Sequence, residues 1–319
     1  MTPRRKLRAL SEPFALAALL ALAACSSPQP KAQTPRPAEP VATVRPAPPP
    51  VPVGVDPQVA HRAEELLSEM TIEEKLAYIG GERDFFIRPI ERLGIPEIKL
   101  SDGPSGCRNW GPSTAYPAPI ALAAAFDVDL AERVGHAMGR DCRARGVHIL
   151  LGPGVNIQRS PLNGRNFEYL GEDPYLAGKA AVGLIRGIQG EGVLATVKHF
   201  AANNQEWDRN HVSSQVDERT LREIYLPAFE MAVKEATVGS VMTAYNPLNG
   251  EYSSHSSWLL RTVLKDEWGF DGFVMSDWGA AHDTLGAVNG GLDLEMPSGE
   301  EMSAAKVLPL IRSGKVDPA

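Results

Sequence analysis

The sequence predicts an α/β protein built as a (β/α)8 barrel, irregular or incomplete in its strand count. Three observations carry that reading. Short apolar runs alternate with amphipathic segments from residue 58 onward, the pattern of a parallel sheet with right-handed crossovers. Polar motifs follow these runs directly, and a barrel gathers the strand ends of one polarity on one face. The rival open sheet loses support, because no G-x-G-x-x-G follows the first run and no Walker A motif is present. Residues 58 to 319 are also close to the roughly 250 residues typical of such a barrel.

The elements follow in order. Asp56-Pro57 is an N-cap and N1 pair for a helix running to about Met70. Thr71-Ile-Glu-Glu74 is a capping box that opens a second helix. Six apolar runs read as strands: Glu97–Leu100, Val147–Leu151, Val193–Val197, Ser240–Ala244, Gly272–Met275 and Leu292–Met296. Between them, Asp127–Arg145, Pro174–Gln189, Asp217–Glu235, Ser256–Glu267 and Ala280–Val288 read as helices. Six runs fall short of eight, hence the irregular or incomplete barrel.

The first 57 residues read as address and spacer. A basic stretch, Met1 to Arg8, precedes an apolar stretch from Phe14 to Ala24. That is the layout of a secretory signal. It ends Leu22-Ala23-Ala24-Cys25 and resembles the bacterial lipobox, which implies lipidation at Cys25. Several acyl tails suffice for stable anchoring. Ser26, by the same resemblance, implies sorting to the outer membrane. From Pro28 to Pro57 there are 11 prolines, which predicts an extended, semi-rigid tether.

Composition excludes several classes. Thirty-two basic and 39 acidic residues give a net charge of −7, with an isoelectric point near 5.6. That balance speaks against nucleic acid as a partner. Three cysteines do not make a disulfide scaffold. No apolar run reaches the roughly 18–20 residues of a membrane-crossing helix. The seven histidines are scattered without an H-E-x-x-H, so no metal site is predicted. No G-x-S-x-G supports a serine hydrolase. Cys107 and Cys142 could pair in an exported protein or remain free and buried.

The polar residues after the strands are the candidate site. Asp277, between Ser276 and Trp278, could act as nucleophile, base or ligand, and Trp278 offers a flat face for a sugar ring. The competing reading is a helix N-cap. Lys198 and His199 are paired donors, although His199 could instead satisfy a buried carbonyl. Arg165 carries a rigid fork of donors and could equally pair with Glu168 or Asp173. Asp102 could accept two hydroxyl hydrogens, or close its own Asp-Gly-Pro turn. Arg108 lies six residues further along the same loop.

Taken together, the motifs resemble glycoside hydrolase family 3, specifically its bacterial β-glucosidases. The resemblance rests on Asp102-Gly-Pro104, Gly164-Arg-Asn-Phe-Glu168, Gly171-Glu-Asp-Pro174, Val197-Lys-His-Phe200, Asp217-Glu-Arg-Thr-Leu221, Val241-Met-Thr-Ala-Tyr-Asn246, Gly272-Phe-Val-Met-Ser-Asp-Trp278 and Gly291-Leu-Asp-Leu-Glu-Met-Pro297, in that order. It covers nearly all of residues 58–317. It implies that Asp277 is the nucleophile of a retaining, exo-acting β-glucosidase. Asp102, Arg108, Arg165, Lys198 and His199 would bind sugar hydroxyls. Met242 and Tyr245 would line the same pocket, and Trp278 would wall the leaving-group side. Cations around Asp277 are expected to hold its pKa low. No cofactor is implied. The implied substrate is a β-glucoside or a short β-glucan oligosaccharide.

The family's β-glucosidases take their general acid from a following α/β domain, which is expected to lie outside this chain. The related N-acetylglucosaminidases carry a histidine in a Pro-Gly-His-Gly loop. Here that loop reads Ala201-Ala-Asn-Asn-Gln-Glu-Trp-Asp-Arg-Asn-His211. Glu206, Asp208 and His211 are of suitable type, but the pattern does not match, so no residue is assigned. The chain is therefore read as an amino-terminal portion of a β-glucosidase, with a partner domain or chain supplying the acid. The alternatives are a lipid-anchored sugar-binding barrel without turnover and a β-xylosidase specificity.

Overall fold

The computed structural model describes residues 57–317. The expected signal, Cys25 and most of the proline-rich spacer lie outside the described residues. So does Asp56, the expected first N-cap.

Nine short strands appear among the described residues: β1 (Gly81–Glu82), β2 (Phe86–Ile87), β3 (Ile98–Asp102), β4 (Ile149–Leu151), β5 (Leu194–Phe200), β6 (Ser240–Thr243), β7 (Pro247–Leu248), β8 (Glu251–Tyr252) and β9 (Phe273–Met275). Seven form one curled sheet in the order β1-β2-β3-β4-β5-β6-β9. From β3 to β9 the neighbours are parallel. The β1–β2 hairpin joins β3 antiparallel, with Ile87 opposite Ile98.

The sixth predicted run, Leu292–Met296, is not a regular strand. It is nonetheless the stave that closes the sheet. Ser276 N–H donates to the Leu294 carbonyl at 2.9 Å, and Gly81 N–H donates to the Glu295 carbonyl at 2.8 Å. Parallel bridges Met275–Leu294 and Gly80–Glu295 mark the same closure. The barrel is therefore irregular, as expected, and the staves missing from the sequence reading are the two-residue strands β1 and β2.

Residue alternation divides two apolar layers. Ile87, Leu100, Ile149, Leu151, Met242, Met275, Leu294 and Met296 fill the barrel interior. Leu150, Ala195, Val197, Val241 and Val274 point the other way, into the layer shared with the helices. This is the period-two pattern of strands buried on both faces.

The helices hold to their predicted positions with informative differences. Pro57–Glu69 and Ile72–Tyr78 form. Thr71 and Glu74 make both halves of the capping box, at 3.2 and 2.9 Å. Val128–Arg143 and Pro174–Gly190 pack closely because glycines face the contact. A Cβ at Gly187 would lie 2.1 Å from the Glu132 carbonyl oxygen. The segment Asp217–Glu235 is not one helix. It runs through Glu218–Thr220, a wide turn at Leu221–Tyr225, then Pro227–Lys234. Pro227 has no N–H to continue an α-ladder, which accounts for the break there. Trp258–Glu267 is likewise wound with the wider i→i+5 turn. The last crossover helix starts at Thr284, later than expected, where Asp283 caps it. Cys107 and Cys142 are both buried and free.

Candidate active site

The site lies at the C-terminal ends of β3 to β6 and β9. One cavity of about 390 Å³ opens there. Asp277, one residue beyond Ser276 after β9, is 6% exposed. Its Oδ1 accepts a hydrogen bond from the Trp278 N–H at 2.8 Å. Its Oδ2 is buried and has no hydrogen-bond partner among the described residues. Arg165 Nη1 stands 3.9 Å from that oxygen and His199 Nε2 stands 3.5 Å away. The carboxylate is thus held by one oxygen, while the other faces cationic and polar groups without being tied to them. Asp277 caps no helix; that role falls to Asp283.

Asp102 ends β3 and grips the other side. Its Oδ1 accepts from Lys198 Nζ at 2.8 Å, and its Oδ2 pairs with Arg108. Lys198 is 3% exposed and also sits 3.9 Å from Glu168 Oε2. Glu168 in turn pairs with Arg165. The internal Arg165–Glu168 pair therefore forms, and Arg165 still reaches the cavity. Asp173 does not join it, because it caps the helix that follows and accepts from Leu176 N–H at 2.6 Å. Cavity, carboxylates and cations form one network: Arg108, Asp102, Lys198, Glu168, Arg165 and Asp277.

The electrostatics follow from burial first. Desolvation works to raise the Asp102 carboxyl, but Lys198, Arg108 and Arg165 together outweigh it, leaving the group below its ordinary value. At Asp277 the balance goes the other way. Burial raises its pKa and dominates, with Arg165, Lys198, the Trp278 N–H and the Tyr245 hydroxyl opposing it. This corrects the expectation of a lowered value. The cations are present, but at 3.9 Å the nearest arginine atom lies beyond direct hydrogen-bond reach, and full desolvation is the larger effect.

A second correction concerns His199. It is completely buried and does not line the cavity. Arg165 Nη2 donates to its Nε2 at 2.7 Å. Its Nδ1 lies 3.3 Å from both the Tyr169 hydroxyl and Asn156 Oδ1. Burial, then the charges of Arg165, Lys198 and Arg209, push its pKa well below the usual histidine value. His199 is therefore a neutral ring that supports Arg165 from behind. The strand explains the placement. β5 carries a bulge between Lys198 and Phe200 against β6, and such bulges re-aim side chains beside active sites. Lys198 turns into the cavity and His199 into the wall.

Residues 85–319 match the Glycosyl hydrolase family 3 N terminal domain. The chain belongs to glycosyl hydrolase family 3. Its curated relatives include thermostable beta-glucosidase B of Acetivibrio thermocellus, 50% identical over 79% of this chain and 35% of that protein. An exo-alpha-(1->6)-L-arabinopyranosidase of Bifidobacterium longum is 44% identical over the same shares. Among solved structures, the Bifidobacterium adolescentis GH3 beta-glucosidase aligns with a TM-score of 0.76 and 45% identity, over 79% of this chain and 37% of that one. Beta-glucosidase 3B from Thermotoga neapolitana, solved in complex with glucose, aligns with a TM-score of 0.76 and 42% identity, over 80% and 40%. The chain thus spans about a third of the length of the curated relatives it matches.

Within this family 3 domain, eight expected residues meet at the one cavity: Asp102, Arg108, Arg165, Lys198, Met242, Tyr245, Asp277 and Trp278. Phe85, Phe167, Glu168 and Arg209 also line it. Phe85 packs its ring 5.0 Å from Trp278, extending the aromatic wall. Glu168 was already present in the Arg-Asn-Phe-Glu motif. Phe85 belongs to the hairpin whose strands are too short to read. Glu206, Asp208 and His211 do not line the cavity. Glu206 pairs with Arg209 at 2.5 Å, and Asp208 with His211 at 2.7 Å on the exposed surface.

Proposed function

We propose that this chain is the nucleophile-bearing part of a retaining β-glucosidase that removes terminal glucosyl residues from β-glucosides or short β-glucan oligosaccharides. The observation that carries this is the Asp277 carboxylate, anchored by one oxygen and free at the other. The free Oδ2 attacks the anomeric carbon. The bond from that carbon to the leaving oxygen breaks, and its electron pair departs with the leaving group, giving a covalent glycosyl-enzyme. Asp102, Arg108, Lys198 and Arg165 supply the charged hydrogen bonds that hold the sugar hydroxyls. Trp278 and Phe85 form the apolar wall toward the leaving group. His199 contributes through Arg165.

Departure of an alkoxide also needs an acid, about 5–5.5 Å from the nucleophile in retaining enzymes. Neither other carboxylate of the cavity suits that task. Asp102 is held ionised by Lys198 and Arg108, and Glu168 is committed to Arg165. We therefore assign the acid to a partner domain or chain. The arabinopyranosidase relatives support a second reading of the sugar, a pentopyranose such as a β-xyloside. The arrangement Leu22-Ala23-Ala24-Cys25 behind a basic, apolar leader supports export and lipid anchoring at Cys25, at the outer membrane of a bacterium. Incorporation of labelled palmitate, lost in Cys25→Ala, tests that anchor.

The activity is tested with 2,4-dinitrophenyl 2-deoxy-2-fluoro-β-glucoside, whose leaving group needs no acid. Stoichiometric labelling of the wild type, abolished in Asp277→Asn, is expected. Glucose binding by calorimetry with no labelling would instead identify a binding module. Faster labelling by the corresponding xyloside would favour the pentose reading.

A further inference from the structure

Arg209 has no role in the reading above, yet it lines the cavity. Its guanidinium carbon lies 4.0 Å from the centre of the Tyr245 ring. Its Nη1 donates to Glu206 Oε2 at 2.5 Å. Tyr245 lines the same cavity as Asp277, and its hydroxyl works to lower the pKa of the Asp277 carboxyl. Three side chains from two segments thus form a chain: Glu206 fixes Arg209, Arg209 stacks on Tyr245, and Tyr245 shares the cavity with the nucleophile.

We propose that Arg209 is a positioning residue that acts on the nucleophile Asp277 through the Tyr245 ring. The inference rests on the assignment of Asp277 given above. A planar cation over a phenol face does two things. It fixes the ring against rotation out of the cavity. It also draws electron density from the ring, which makes the hydroxyl a better donor. Both effects place a stronger neutral donor beside a carboxylate whose second oxygen accepts no hydrogen bond among the described residues. The consequence is a larger ionised fraction of Asp277 at a given pH.

The other groups acting on that carboxylate are Arg165, Lys198, the buried neutral His199 and the Trp278 N–H. Arg165 is tied to Glu168 and His199, and Lys198 to Asp102. None of these contacts involves Arg209, so all remain when it is removed, although its charge also helps to keep His199 neutral. Arg165 and Asp277 also act on Tyr245, but Arg209 alone stacks on its face among the described residues. Arg209 is half-buried, with its side chain 31% exposed, so its replacement leaves the core intact.

The test measures the labelling rate by the fluoro-glucoside as a function of pH, in wild type, Arg209→Met, Arg209→Lys, Tyr245→Phe and the double variant. Arg209→Met is expected to label about ten-fold more slowly near the acid limb, with that limb shifted to higher pH. Arg209→Lys keeps the charge but not the planar fork, and should fall between wild type and Arg209→Met. In the Tyr245→Phe background, Arg209→Met should add less than two-fold, because the hydroxyl it acts through is gone. An unlabelled wild type would refute the assignment of Asp277 itself. A labelled wild type with an unmoved limb in Arg209→Met, or full additivity of the two substitutions, would overturn the role of Arg209 alone.

Discussion

Lys198→Met should destabilise the fold as well as the site, and the structure gives the size of the loss. Lys198 is 3% exposed and donates to Asp102 at 2.8 Å. Removing one partner of a buried ion pair costs roughly 3–5 kcal/mol, because the remaining charge is left in low dielectric. Asp102 keeps Arg108 as a second partner, and that arginine is 66% exposed in its side chain, so the lower end applies, about 3 kcal/mol. For a domain of this size each kcal/mol moves Tm by about 2–4 °C, giving a drop of about 6–12 °C.

The pH dependence is equally specific. In the wild type Asp102 titrates below its ordinary value. Its pairing therefore stabilises the fold above that ordinary value and is lost as pH falls through the folded value. In Lys198→Met the same carboxyl is buried with less compensation, so its pKa rises. The penalty is then full at neutral pH and shrinks toward pH 4 as acid neutralises the carboxylate. Thermal denaturation of both proteins across that range, followed by circular dichroism, measures the gap. A gap below about 1 kcal/mol at neutral pH, the range of an exposed pair, would refute the argument. So would a gap that does not narrow in acid.

Four further outcomes follow from the same geometry. Asp277→Asn should raise Tm at neutral pH, since it removes a buried carboxylate whose folded pKa is raised; an unchanged or lower Tm would contradict this. For the same reason, labelling of the wild type should fail as pH drops through a value above the ordinary carboxylate range near 4, and a limb at or below that range would show that the cations dominate after all. Gly187→Ala should cost about 1–3 kcal/mol by overpacking, since its Cβ would meet the Glu132 carbonyl at 2.1 Å, whereas Gly164→Ala, whose Cβ finds its nearest neighbour at 3.5 Å, should be nearly neutral by urea denaturation. Finally, nitrogen-15 NMR of the histidines should find His199 neutral at pH 6, because burial holds its pKa well below the usual range; a protonated ring there would overturn its role as an acceptor for Arg165.

Much of the fold was legible because its signals are local. Ile149–Leu151, Ala195–Val197, Ser240–Ala244 and Val274–Met275 are buried on both faces, and such strands appear in sequence as largely apolar runs. Asp173 before Pro174 and the Thr71 capping box announce their helices for the same reason. The hairpin of β1 and β2 escaped because two-residue strands have no period to read. Closure through Leu294 and Glu295 is a non-local pairing that no window reveals. The break at Pro227 follows from proline alone and was available in the sequence.

At the site, residue types and motif order brought Asp102, Arg108, Arg165, Lys198, Met242, Tyr245, Asp277 and Trp278 to one cavity. His199 was misplaced because adjacent residues at a strand end do not reveal which of them the bulge turns inward. The Asp277 pKa was misjudged because sequence shows neighbouring charges but not burial, and burial is the larger effect. Arg209 carries no local signal in the sequence. Its contact with Tyr245 joins residues far apart in the chain.

The central claim is that the free oxygen of Asp277 is the nucleophile. The most direct measurement is peptide mapping of the protein after reaction with the fluoro-glucoside. The sugar should be found on the tryptic peptide of residues 266–306, and fragmentation should place it on Asp277. A sugar on Asp102 or Glu168 instead, or no covalent sugar on a folded protein that binds glucose, would contradict the account.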